Sequence, residues 1–468
     1  MLPATMKEPK TGKEISKKWA EHILKEHRAA TNPPALLRVD TCTVDKDKGD
    51  GYNSEVFFFT VETTEQEESS SPETKKVYHL VGKFLSQEPH SQVMNKKLKS
   101  HLKEYLVYTE LIPAMNNMLN EKAPEEPKIS YPELIYGKCK GQDFVLVMEN
   151  LQYAGCEMND KRKGLDDEHL KAAVDQIARV HALSYVLCQT ADVSKYSCFP
   201  SVGEHISIFI AMMGVMVDNC VRFLTSFEKT QELGNKLKSC QSILLEKLSA
   251  SVVDDFPIKC LVHGDFWNNN FMFKYAAASD EQKIIEEVKL IDWGNASWGP
   301  PVFDLQYLVH TSTTRTTRKD HLDEVLSQYH ETFMRLTTHL GHPPANWSIE
   351  QLKSEWNKTY SYGFLVGCTL TQGTLSTTNP ANKKNEPSVL DKPMLFPIKF
   401  VVDGMTMGAA KLLSPLLLSG GGKKFIVSFM KKIMKPILEE LKSGKNEAMN
   451  TRLLDLVYEA DEKGLLTT

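Results

Sequence analysis

No C-x-x-C pair occurs in this sequence, although it contains nine cysteines. They are scattered and odd in number, which speaks against a disulfide framework or a zinc site. They fit reduced thiols and hence a cytoplasmic location. Neither sign of charge dominates: 56 Lys and Arg face 60 Asp and Glu, a net charge of −4. That balance gives no support for a nucleic-acid partner or a polybasic membrane binder. Long apolar runs are also missing. The stretch 206–217 is too short to span a bilayer, and 400–418 is interrupted by Asp403, Lys411 and Pro415. Both read as buried helices, so no membrane span is expected. The opening MLPATMKEPKTGKEISKK is polar and lysine-rich and does not read as a secretory signal. Several catalytic motifs are absent too: there is no G-x-x-x-x-G-K-[ST], G-x-S-x-G or H-E-x-x-H, and SGGGKKF lacks the phosphate-loop spacing and its hydroxyl.

The 468 residues exceed what one core usually holds, so two lobes are expected. The first is strand-rich. Residues 12–30 carry Trp19, Ile23 and Leu24 at helical spacing. Strands are expected at 36–44, 55–62, 77–85, 131–139 and 143–151, where β-branched and aromatic residues cluster. The polar stretch 63–76 reads as a mobile hairpin tip, and a helix over 93–111 is expected to end or kink at Pro113. Strands grouped around a single helix indicate α+β organisation with a small antiparallel sheet. After residue 151 the pattern turns helical, led by Leu170, Val174, Ile177, His181 and Tyr185 on one face. Short strands are expected at 259–262, 270–275 and 288–291, with a long polar loop at 377–393.

Chemistry concentrates in LVHGDFWNNNFMF, residues 261–273. Asp265 sits in a loop after an apolar strand, Asn270 follows five positions on, and a second strand comes next. Asp292 then appears in VKLIDWGNASWGPPVFDL. Phosphoryl transfer requires this set: one carboxylate to take or orient the acceptor hydroxyl proton, and an amide oxygen plus a second carboxylate for Mg²⁺, which prefers oxygen ligands. Asp265 is the candidate catalytic residue, and Asn270 and Asp292 are the candidate metal ligands.

The pattern resembles the protein-kinase catalytic loop H-R-D-x-x-x-x-N and its D-F-G, with Gly264 in place of Arg and Trp293 in place of Phe. The form HGDFWNNN, followed by IDWG and PVFDL, most resembles the ecdysteroid kinase-like family, also called CHK kinase-like, which is related to choline kinases and aminoglycoside phosphotransferases. That resemblance implies a bilobal protein-kinase-like fold, with a nucleotide-binding N-lobe over 1–150 and a helical C-lobe over 151–468 carrying the catalytic loop and substrate site. It implies that Lys83 in VGKFL steadies the ATP phosphates. Glu104 in KEYLVY would pair with Lys83. Glu149 and Leu151 in MENL would belong to the hinge over which adenine lies. The turn GDGYNS lacks a full G-x-G-x-x-G. Its Gly51, Asn53 and Ser54 either cap the phosphates through backbone N–H groups or form a plain hairpin turn. His263, His181 and Asp304 read as structural, with Asp304 supporting the loop through backbone hydrogen bonds.

The function implied is an ATP- and Mg²⁺-dependent small-molecule kinase acting on a hydroxyl of an ecdysteroid or other lipophilic alcohol. A choline- or ethanolamine-type kinase, which requires an aromatic and acidic cage, stays open as an alternative. So does a pseudokinase acting as a binding protein. No activation segment ending in A-P-E follows Asp292, so a protein kinase is disfavoured.

Overall fold

The structure, a computed structural model, describes residues 7–49, 54–87, 95, 98–141, 143–207, 209–252, 255–276, 284–378, 428 and 430–467. The first elements are α1 (Lys17–Thr31), β1 (Leu36–Gly49), β2 (Ser54–Gln66), β3 (Thr74–Leu85) and α2 (Ser100–Leu106). One π-helical turn (Val107–Leu111) leads into α3 (Ile112–Lys122), then β4 (Leu134–Lys140), β5 (Asp143–Glu149) and β6 (Cys156–Glu157). Helices α4 (Asp167–Thr190), α5 (Val202–Ser207), α6 (Ile210–Leu224) and α7 (Gln231–Ser251) follow. Then come β7 (Cys260–Val262), β8 (Phe271–Tyr275), β9 (Ile285–Leu290) and β10 (Ser297–Gly299). The described chain closes with α8 (Val302–Ser312), α9 (Arg315–His339), α10 (Ile349–Lys358), α11 (Tyr360–Leu375), α12 (Lys435–Ser443) and α13 (Glu447–Glu462).

The chain forms two compact units. The smaller comprises Met1–Ala114, Ser130–Glu157 and Met272–Gly294, and the larger Met115–Ile129, Met158–Phe271 and Asn295–Thr468. Five strands in the smaller unit make one antiparallel sheet in the order β1-β2-β3-β5-β4. Alternation explains its core: Phe57, Phe59 and Val61 lie two apart on β2, so they share one face. There they meet Trp19, Ile23 and Leu24 of α1 together with Leu80, Phe84, Val145 and Val147. The start of α1 is fixed by Ser16, whose hydroxyl accepts from the Trp19 N–H. A second sheet in the order β6-β8-β9 also belongs largely to this unit.

Two sequence expectations need correction here. The hairpin tip expected over 63–76 is shorter, confined to 67–73, because β2 runs on to Gln66 and β3 starts at Thr74. Thr63, Thr64 and Glu65 at the start of that stretch are buried: Glu65 accepts from Tyr78 Oη at 2.6 Å and from Lys76 Nζ at 3.0 Å. A carboxylate so surrounded stays ionised, and its pKa is lowered by these donors despite the opposing effect of burial. Nor does Pro113 end the helix. Helical structure runs on from α2 through the π-helical turn into α3, and Pro113 stands two residues after that turn.

The larger unit is helical. Helix α4 packs on α9, α8 on α11, and α6 on α7. Asp166 caps α4 by accepting from the His169 N–H, and Thr314 caps α9 in the same way through Thr317. Its only paired strands among the described residues are β7 and β10, joined antiparallel. No helix among the described residues is long and apolar enough to cross a membrane. The expected polar loop at 377–393, beyond Thr378, and the apolar run 400–418 lie outside the described residues.

Candidate active site

The smaller unit brings three predicted residues together by charge. Lys83 lies on β3 opposite Val56 of β2 and Leu146 of β5, deep in the sheet. Its ammonium reaches Glu104 Oε1 on α2 at 2.6 Å and Asp292 Oδ1, just after β9, at 3.3 Å. Burial alone would push the Lys83 ammonium down, but the charges of Asp292 and Glu104 outweigh it and hold the pKa above its ordinary value. Glu104 is pushed up by burial and by Asp292, against the pull of Lys83. Asp292 is the open end of this cluster: its side chain is 51% exposed, against 13% for Lys83 and 5% for Glu104. It also has φ of +66°, a left-handed conformation that a non-glycine residue adopts only when its surroundings hold it there. Tyr108, four residues after Glu104 and inside the π-helical turn, is fully buried. Burial, Glu104 and Asp292 all push its phenol up.

The hinge residues fall in the same unit. The Glu149 carboxylate accepts from Lys289 Nζ at 2.6 Å and from the Glu133 N–H at 3.0 Å, so its side chain braces neighbouring segments. Leu151 is buried with Cys156 and Met272, and Ile291 packs against them, giving a small apolar platform. Met272 and Cys156 were not singled out from sequence. The signal for Met272 was its place two residues after Asn270. Ser54 opens β2, while Gly51 and Asn53 lie outside the described residues.

In the larger unit, hydrogen bonds rather than charge hold the loop that carries Asp265. Asn270 Nδ2 donates to the Asp265 carbonyl oxygen at 2.7 Å and to Asp265 Oδ2 at 3.0 Å. With its amide donors turned to the loop, its remaining polar atom is Oδ1, an acceptor suited to a hard cation. Gly264 has φ of +76°, and a side chain there would collide with the Asn295 carbonyl oxygen, so no arginine fits between His263 and Asp265. Asp304 on α8 accepts from the backbone N–H groups of His263 at 2.6 Å and Gly264 at 3.0 Å, as the sequence led us to expect. Buried His181 bridges Asp304 Oδ2 at 3.1 Å and the Tyr329 hydroxyl at 2.8 Å, bracing that carboxylate from α4. One contact was missed: the Tyr307 hydroxyl donates to Asp265 Oδ1 at 2.5 Å. Burial, then the Asp265 charge, pushes this phenol far up, so it stays a donor. Its position three residues after Asp304, on the same helix face, was the available signal.

A lysine–glutamate pair set in an antiparallel sheet, with a helical unit carrying H-G-D-x-x-x-x-N, defines a protein-kinase-like fold. The sequence profile of the Ecdysteroid kinase-like family (EcKL) matches residues 48–342. The chain belongs to that family, which supports its assignment to the small-molecule kinases. A search of curated proteins returned no match. Among solved structures it is similar to a GDP complex of wild-type aminoglycoside 2'-phosphotransferase-IIIa, at 11% identity over 92% of this chain and 99% of that one (TM-score 0.38). It is also similar to a choline/ethanolamine kinase family protein from Mesorhizobium loti, at 12% identity over 91% and 99% (TM-score 0.32). A glucosamine kinase in complex with glucosamine, ADP and inorganic phosphate aligns at 11% identity over 74% and 98% (TM-score 0.32).

Proposed function

We propose that this protein transfers the γ-phosphoryl group of ATP to a hydroxyl of a lipophilic alcohol, an ecdysteroid being the first candidate, and that Asp265 is the catalytic carboxylate. The observation that carries this reading is the state of Asp265: a half-buried carboxylate fixed by two side-chain donors in a loop that is itself fixed by its backbone. Such a group is held in a set direction, which is what orienting an acceptor hydroxyl demands.

In this reading Lys83 neutralises ATP phosphate oxygens and Glu104 keeps the Lys83 ammonium charged and aimed. Asn270 and Asp292 would be the Mg²⁺ ligands, since an amide oxygen and a carboxylate are the donor types that a hard cation prefers. Bound there, the ion would neutralise charge on the phosphates. Leu151, with Cys156 and Met272, offers an apolar floor for a purine, and Glu149 supports the hinge. Ser54, Gly51 and Asn53 would cover the phosphates through backbone N–H groups. Asp265 accepts the proton of the acceptor hydroxyl as its oxygen bonds to the γ-phosphorus. The bond from that phosphorus to the β,γ-bridging oxygen breaks and ADP departs. Because the transition state is loose, placement and charge neutralisation supply most of the rate. A phosphate ester would turn an uncharged lipophile into an anion and so trap or inactivate it.

The test is Mg-dependent ATP consumption by the purified protein against ecdysteroids, other lipophilic alcohols, choline and aminoglycosides. Turnover with a hydroxylated lipophile, not competed by choline, is expected. Turnover with choline alone would replace the substrate class. Absence of both turnover and Mg·ATP binding would leave a binding protein in its place.

A further inference from the structure

We propose that Tyr307 is a positioning residue for phosphoryl transfer, and that α8 acts as a template which sets the catalytic loop one residue at a time. The proposal rests on the reading of Asp265 as the catalytic carboxylate. Three positions along α8 reach the loop. Asp304 holds the backbone N–H groups of His263 and Gly264. Tyr307, one turn further, donates to Asp265 Oδ1 at 2.5 Å. Ser312, at the end of the helix, accepts from the Asn268 N–H at 2.9 Å through its hydroxyl. Asp304 and Tyr307, three residues apart, are neighbours on one face, while Ser312 stands about 140° further round and meets the loop from the last turn of the helix.

The first and third contacts set the course of the backbone, and neither touches the reacting carboxylate. That carboxylate would still rotate about its side-chain bonds. Asn270 restrains it at Oδ2, but Asn270 belongs to the same loop and, in our reading, also faces a metal ion. Tyr307 is a restraint that comes from outside the loop. It stands on a buried helix and is itself 7% exposed, so its hydroxyl has little freedom to leave. A carboxylate offers about four lone-pair sites. The phenol takes one on Oδ1 and the Asn270 amide one on Oδ2. Tyr307 thereby decides which direction Asp265 presents. Tyr362 lies beside Tyr307, ring centroids 6.5 Å apart, and makes no such bond to Asp265, which provides a matched control.

Y307F removes one oxygen atom and keeps the ring that packs on Tyr362. With the acceptor returned by the panel described above, Y307F is expected to lower kcat about tenfold while KM for ATP stays within twofold. Y362F should leave both unchanged. Proton NMR of the full chain supplies a readout that does not depend on turnover. A phenolic proton in a short bond to a carboxylate gives a strongly downfield, exchange-protected resonance. It should be present in the wild type and in Y362F, and absent from Y307F and D265N. Wild-type kcat in Y307F beside an inactive D265N, or absence of that resonance from the wild type, would overturn the role of Tyr307 alone. Wild-type turnover by D265N would instead overturn the reading on which the role rests.

Discussion

Lys83 and Asp265 are held in their units by different physics. Lys83 is held by opposite charges, Glu104 at 2.6 Å and Asp292 at 3.3 Å, in a place where solvent screens them poorly. Asp265 is held by neutral donors from Tyr307 and Asn270 in a loop whose backbone is pinned by Asp304. The contrast suits the work proposed for each. A group that meets phosphates must stay cationic, and nearby carboxylates secure that. A group that takes a proton must keep its direction without being neutralised by a partner cation, and hydrogen-bond donors secure that.

The sharpest way to break this comparison is to change one atom in each set. D265N should lower phosphoryl transfer by about a thousandfold, in line with the usual weight of a positioned acid–base group. ATP affinity should stay near the wild-type value, as equilibrium binding of Mg·ATP would report. K83M should lower kcat/KM for ATP by about a hundredfold and also destabilise the fold by about 3 kcal/mol, because Glu104 is left as a buried carboxylate without its cation. Adding E104Q to K83M should recover part of that stability and none of the turnover, with urea unfolding as the measure. Recovery of turnover by the double variant would undo the charge-held description.

Smaller effects sharpen the other half. G264A should cost about 2 kcal/mol and slow transfer, since it adds a side chain where φ is +76° and the Asn295 carbonyl already stands. A G264A chain with wild-type urea midpoint and rate would contradict the tight loop. His310, on α8 behind that loop, is buried and its pKa is lowered to about 3, chiefly by burial and then by the Arg318 charge. The unfolded chain binds this proton more readily than the folded one. The contribution is therefore complete above about pH 6.5 and is lost as pH falls from there toward about 3. Stability should drop by about 1 kcal/mol between pH 7.5 and 5.5 through this group, and His310→Asn should flatten that slope.

Much of this arrangement was legible in the sequence. The five strands of the sheet showed as β-branched and aromatic runs, and the structure then placed Phe57, Phe59 and Val61 of one such run in the core. The spacing of Asp265 and Asn270 was readable because both lie in one short loop, and Asp304 because its acidic side chain stands out on an apolar helix. What failed depended on partners distant in sequence. The hairpin tip was drawn too wide at 63–76 because polar composition was taken to mean exposure throughout, whereas Arg28, Lys76 and Tyr78 surround Glu65 and make a buried place for it. Pro113 looked like a helix end because nothing in local composition announces a π-helical turn. Tyr307 was not singled out in the sequence. Its helical spacing from Asp304 gave its face, but only the fold shows that the phenol meets a carboxylate 42 positions earlier.

The most direct test of the central claim is to measure Mg·ATP binding and γ-phosphoryl transfer side by side in the wild type, K83M and D265N. The account predicts that K83M loses affinity for the nucleotide, and that D265N binds it like the wild type yet transfers almost nothing. A D265N protein that transfers phosphate at the wild-type rate would contradict it.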